Sequence, residues 1–114
     1  MQRALMATAA LLMVAAGCAT AKAEEVPTYR AFYSGNDLHQ ACNDTGSDRW
    51  GCNGYIAAAA DGLSAMGRIC PPERVTTTKA MDIVVRNLRD RPEDRHLGAF
   101  ALAWTALAAV WPCP

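Results

Sequence analysis

The chain predicts an all-α fold: a compact bundle of about four helices stapled by two disulfides, following a cleaved signal peptide. Three observations carry this prediction. Apolar residues recur at steps of three and four in separate segments, and no run alternates with period two. Four cysteines beyond the leader (Cys42, Cys52, Cys70 and Cys113) fall at the ends of those segments, where cross-links can clamp a small helical domain. Clusters of turn formers and prolines separate one segment from the next.

Residues 1–23 carry one early positive charge at Arg3 and an uncharged stretch from Ala4 to Thr20, and they end in Ala21-Lys22-Ala23. That is the pattern of a secretory signal peptide cut before Glu24, leaving 24–114 as the domain. A rival processing site overlaps it. Val14-Ala15-Ala16-Gly17-Cys18 resembles the box at which bacterial lipoproteins are cut before a lipidated cysteine, although Ala15 stands where a leucine-like residue is usual. The apolar run barely reaches the roughly 20 residues of a spanning helix, which argues against an uncleaved anchor. Membrane attachment is therefore expected only through lipid on Cys18.

Cleavage before Glu24 removes one of the five cysteines and leaves an even set, as an oxidising compartment favours; lipidation would account for Cys18 if it is kept. Both routes lead out of the cytoplasm. Of 114 residues about 91 remain, near the size at which burial alone is marginal, so staples worth roughly 2–4 kcal/mol each make physical sense. With Arg3 and Lys22 gone, nine basic residues face eleven acidic ones, a net charge of about −2. That excludes a strong electrostatic case for nucleic acid or anionic membrane as partner.

Glu24–Phe32 is polar, contains Pro27 and has no period; it should dock through Tyr29, Phe32 or Tyr33. Ser34-Gly35-Asn36-Asp37 supplies capping side chains ahead of Leu38, Ala41 and Cys42, predicting a short first helix that ends near Asn43. Residues 43–47 are dense in turn formers. A second helix is expected from Ser47 or Asp48 to about Met66, with Cys52, Tyr55, Ile56, Ala59, Leu63 and Met66 on one stripe. Its small residues Ala57–Ala60, extended by Gly54 and Gly62, predict close approach of another helix. Gly67 to Pro72 ends it. Thr76, Thr77 and Thr78 offer caps for a third helix with Met81, Val84, Val85 and Leu88 inward, closed by Pro92. From Glu93 or Asp94 a last helix is expected to carry Leu97, Phe100, Ala101, Trp104, Leu107, Ala108 and Trp111 and to stop at Pro112-Cys113. Its uncharged length falls short of a membrane span, so it reads as a buried central helix.

Four cysteines allow three pairings. Cys52 and Cys70 flank the second helix and stand roughly 25 Å apart along it, beyond the approximately 7 Å that a bridge tolerates. Two options remain: Cys42–Cys52 with Cys70–Cys113, or Cys42–Cys70 with Cys52–Cys113. The first is preferred because it closes the short turn between helices one and two.

Catalytic chemistry finds little support. His39, Cys42, Cys52 and His96 are zinc-ligand types, but their spacing fits no compact zinc module. Every mature cysteine has a prospective partner, which leaves no free thiolate for a cysteine hydrolase. There is no nucleophile elbow and no phosphate-cradling glycine loop. Asp61 and His96 could form a buried polar pair, but each reads more simply as a surface or capping residue. No catalytic residue, metal or cofactor is therefore expected. Arg86, Arg89, Arg91 and Arg95, interleaved with Asp90, Glu93 and Asp94, make the most charged stretch. Mutually paired, solvated charge explains it; a polar rim for a partner protein is the functional reading. The candidate contact regions are Gly67–Val75, with Arg74, and Asp90–Asp94, flanked by Arg89 and including Arg91.

Several short sequences occur in a telling order: Ser34-Gly35-Asn36-Asp37-Leu38 with Cys42; Cys52-Asn53-Gly54-Tyr55-Ile56 with Asp61; Cys70-Pro71-Pro72 and Val75-Thr76; Leu88, Pro92 and Arg95-His96; and Ala106-Leu107 with Trp111-Pro112-Cys113. Together they resemble the Rap/Tai family of immunity proteins across nearly all of the mature chain. Ala58 stands where the family often has glycine, and Trp111 where it often has phenylalanine. The resemblance implies a small periplasmic helical protein, commonly a homodimer. Its partner would be a cognate peptidoglycan amidase, the effector of a type VI secretion system, whose catalytic cleft a surface element plugs. The matching residues themselves read as structural. A second reading, a periplasmic stress chaperone similar to small disulfide-linked acid-response proteins, predicts exposure of Trp104 and Trp111 at low pH.

Overall fold

The computed structural model describes residues 25–114. The expected leader, its expected cleavage site and Cys18 lie outside them. Four α-helices follow in order: α1 (Gly35–Asn43), α2 (Asp48–Ala65), α3 (Thr77–Asp90) and α4 (Ala99–Val110), with a 3-10 turn at Pro92–Asp94 between the last two.

α1 starts where its side chains can satisfy its own first amides. Ser34 Oγ accepts from the Asp37 amide at 3.1 Å, and the Asp37 carboxylate accepts from the Ser34 amide at 2.9 Å, a reciprocal capping box. Leu38, Ala41 and Cys42 then face inward. Beyond the helix, Asp44 Oδ1 accepts from the Gly46 amide at 2.8 Å and folds the 43–47 connection into a tight turn.

α2 buries Cys52, Ile56, Ala59 and Leu63 and is stopped by Gly67, whose φ of 67° suits a residue without a Cβ. The Arg68 amide reaches back to the Leu63 carbonyl at 2.8 Å and the Gly67 amide to Ser64 at 3.0 Å, which satisfies the last turn. Ala59 is buried, but Gly54 and Gly62 do not serve close packing as expected. A Cβ at either would meet nothing within 4 Å.

In α3 the Thr76 hydroxyl caps the helix by accepting from the Lys79 amide at 3.2 Å, and Ala80, Val84 and Leu88 form the buried stripe. The last helix departs from the expected start near Glu93 or Asp94. It begins at Ala99, because the intervening backbone is already engaged elsewhere. The Arg95 and Leu97 carbonyls accept from the Asn36 and Gly35 amides, both at 2.7 Å, so they cap the first turn of α1. The Ala99 amide, which a continuous helix would direct to Arg95, donates instead to the Tyr33 carbonyl at 2.9 Å. Ser34 and Gly98 consequently form an isolated antiparallel bridge. Leu97 keeps the apolar spacing of α4 without belonging to it.

α4 packs against each of the other three helices and buries Ala99, Ala101, Leu102, Ala103, Ala106 and Leu107. Its 12 residues span about 18 Å, well short of a bilayer. Among the described residues no helix is long and apolar enough to cross a membrane. The N-terminal segment docks through Tyr33, whose ring lies 5.1 Å from that of Tyr55, and through Tyr29, which covers Gly98. Phe32 does not dock: it is wholly exposed. Two disulfides, Cys42–Cys52 and Cys70–Cys113, close the structure, each with a Cα separation of 4.9 Å.

Candidate functional site

The connection from α2 to α3 is held at several points before it reaches its exposed tip. The Arg68 guanidinium lies 5.6 Å from the centroid of the Trp104 ring, and Ile69 is buried in the core. The Cys70 amide donates to the Trp111 carbonyl at 2.9 Å, and the Cys70–Cys113 bond ties the same residue to the carboxyl-terminal tail. Pro71 and Pro72 then fix two backbone angles. The Val75 amide closes a turn onto the Pro72 carbonyl at 3.4 Å, placing Arg74 at the third turn position with φ 64°. That position favours glycine or asparagine. Arg74 is exposed, and among the described residues it forms no ion pair. The loop thus presents a guanidinium on a backbone braced from both sides.

The other charged region lies at the far end of α3, about 20 Å away along the helix axis. Arg89 pairs with Asp90 at 3.0 Å; Arg91 pairs with Asp94 at 2.9 Å and approaches Glu93 at 3.9 Å. These pairs are largely solvated and contribute little to stability, at most about 1 kcal/mol each. Arg74 and the cluster Arg89, Asp90, Arg91, Glu93 and Asp94 are therefore not brought into one patch. The cluster has largely neutralised itself, whereas Arg74 has not.

The histidines and cysteines do not converge on a metal. Cys42 and Cys52 are joined to each other, His39 contacts the Asn43 amide group at 3.1 Å, and His96 Nδ1 lies 2.9 Å from the Glu93 carbonyl. Among the described residues no group of three His, Cys, Asp or Glu side chains is placed to hold a metal ion. Asp61 is exposed on α2 rather than buried against His96. Partial burial, and then the positive charge of Arg95, hold the His39 imidazole below its usual pKa. Burial raises the Tyr55 phenol.

One surface feature escaped the sequence reading. Trp50, in the first turn of α2, is 77% exposed and borders a groove of about 410 Å³. Arg49 and Asn53 line it on the α2 side, and Thr78, Met81 and Asp82 on the α3 side. Arg49 is fixed there by donating to the Cys42 carbonyl at 3.2 Å. The sequence signal was available: position 50 lies off the inward stripe defined by Cys52, Ile56, Ala59 and Leu63.

A search of the curated proteins finds no match. The family described as Rap1a immunity proteins, inhibitors rather than enzymes, matches residues 34–113. That span runs from the α1 capping serine through the last bridged cysteine and contains all four helices and both disulfides. With most of its length matched in this way, the chain belongs to the Rap1a immunity proteins.

Proposed function

We propose that the protein is a periplasmic immunity protein which binds and sterically blocks a peptidoglycan amidase delivered by a type VI secretion system. The braced loop Gly67–Val75, with Arg74 at its tip, enters the amidase cleft, and the Asp90–Asp94 turn remains a secondary, orienting contact. The observation that carries this reading is the exposed Arg74, without an ion pair among the described residues, on a loop pinned by Ile69, the Arg68–Trp104 stacking and the Cys70–Cys113 bond. Such a loop loses little conformational freedom on binding, so its contacts contribute more fully to affinity. Family membership supports the inhibitory role, and two disulfides in a short domain support an oxidising compartment. The leader at residues 1–23 directs export, and two copies associate as a homodimer.

Co-expression with the amidase encoded by the same strain, directed to the periplasm, tests the proposal. Protection from lysis is expected with the full chain and is lost when the loop tip is altered. Lysis unchanged by the full chain would refute the assignment of the amidase as partner.

A further inference from the structure

The two disulfides differ in what surrounds them. Cys42 and Cys52 are 5% and 0% exposed and belong to the core, packed with Leu38 and Ile56. Cys70 is exposed and Cys113 only partly covered. Cys113 also lies in a non-helical segment after α4, flanked by the exposed Pro112 and Pro114. Thiol–disulfide exchange requires a thiolate to reach one sulfur, so access decides which bond opens first when the protein stays folded.

We propose that Cys70–Cys113 is the thiol–disulfide exchange site of this chain, through which a dithiol unlatches the Arg74 loop while Cys42–Cys52 and the helical core remain closed. The attacking thiolate bonds to Cys70 Sγ, the Cys70–Cys113 bond breaks, and Cys113 leaves as a thiolate that takes up a proton. The second thiol of the reductant then displaces Cys70 from the mixed disulfide. Two electrons pass from the dithiol to the protein, giving two cysteine thiols and an oxidised dithiol. What remains on either side is noncovalent: Ile69 and Trp111 stay seated in the core, and the Cys70 amide can keep its bond to the Trp111 carbonyl. Residues 71–75 lose their covalent brace and Cys113 its tether. If the loop is the inhibitory element, a point that rests on the function proposed above, reduction weakens inhibition without unfolding the domain.

The experiment uses the oxidised full chain and dithiothreitol as the probe. Graded reduction under native conditions, followed by alkylation and peptide mass spectrometry, is expected to label Cys70 and Cys113 at least tenfold faster than Cys42 and Cys52. The two-thiol species should keep its far-ultraviolet circular dichroism. Trypsin should cut it after Arg74 at least tenfold faster than the oxidised protein. A Cys70→Ala/Cys113→Ala variant, which keeps Cys42–Cys52, should show the same tryptic susceptibility. Labelling of Cys42 and Cys52 first, appearance of all four thiols together, or an Arg74 site no easier to cut after opening would each overturn the proposal. None of these readouts needs the amidase, so failure of amidase binding and failure of the exchange site are told apart.

Discussion

The Gly35 amide donates to the Leu97 carbonyl at 2.7 Å, joining the first turn of α1 to the backbone that leads into α4. The approach is close enough that a Cβ on Gly35 would sit 2.8 Å from the Arg95 carbonyl oxygen, a backbone atom held by its own bond to Asn36. Gly35→Ala is therefore expected to lower stability by about 2 kcal/mol or more. Gly98→Ala also meets a neighbour, Tyr29 Oη at 2.5 Å, but that ring belongs to a half-exposed residue of the N-terminal segment and can swing away. Its cost should stay under about 1 kcal/mol. Urea unfolding of both variants checks the order, and equal losses would show that the α1–α4 junction is not the stiffer of the two contacts.

The two disulfides should contribute unequally. Cys42–Cys52 closes a separation of 10 residues and Cys70–Cys113 one of 43. Chain entropy then assigns about 2.7 kcal/mol to the first and about 4 kcal/mol to the second. Paired alanine variants compared by chemical denaturation should reproduce that order, and a domain with a total near 5–15 kcal/mol keeps its fold after either loss.

On the proposed function, a change at Arg74 separates stability from inhibition. Its left-handed backbone costs roughly 1–2 kcal/mol in a residue with a Cβ. Glycine relieves that strain but gains freedom in the unfolded chain, so Arg74→Gly should leave stability within about 1 kcal/mol of the parent. Protection against the amidase should nevertheless fall at least tenfold in a titration of lysis against immunity-protein level. Full protection by this variant would remove the guanidinium from the proposed contact.

Acid should weaken the fold in two separate windows. His39 has a folded pKa below its usual 6.5, held there by burial and then by Arg95, so the unfolded chain binds the proton first. Stability therefore declines as pH drops from 6.5 toward the folded value. The Asp37 carboxyl is lowered from 3.8 by its bonds from the Ser34 amide and hydroxyl, and Asp44 is lowered by the Gly46 amide. Their stabilisation is present above that pH and disappears as pH falls through the folded values. Midpoints measured against pH should show His39→Gln flattening the upper window and Asp37→Asn flattening part of the lower one. A His39→Gln profile that superimposes on the parent would contradict the first assignment.

Much of this architecture was legible in the residues because the signals were local. Ser34 with Asp37, Thr76 and Gly67 mark helix ends through bonds made within a few residues, and helical geometry alone kept Cys52 apart from Cys70. The start of α4 was not legible. Leu97 continues the apolar spacing of the helix, and only the distant amides of Gly35 and Asn36 divert the carbonyls that would have extended it. Phe32 and Tyr29 presented the same difficulty, since a nonperiodic segment does not reveal which ring finds Gly98. The candidate site was legible as a charged inventory but not as a surface. Sequence distance could not show that Arg91 would be satisfied by Asp94 while Arg74 would stand alone.

The separation of the two charged regions along α3 has a consequence for how such a protein diversifies. The Arg74 tip lies beyond the Pro71-Pro72 brace and ahead of the Thr76 cap, at the opposite end of α3 from the Arg95–Ala99 backbone that α1 depends on. If the loop meets the toxin as proposed, substitutions at residues 73 and 74 alter that contact with little effect on the junction that assembles the bundle. On that proposal, a lineage can rewrite what it recognises without relearning how to fold.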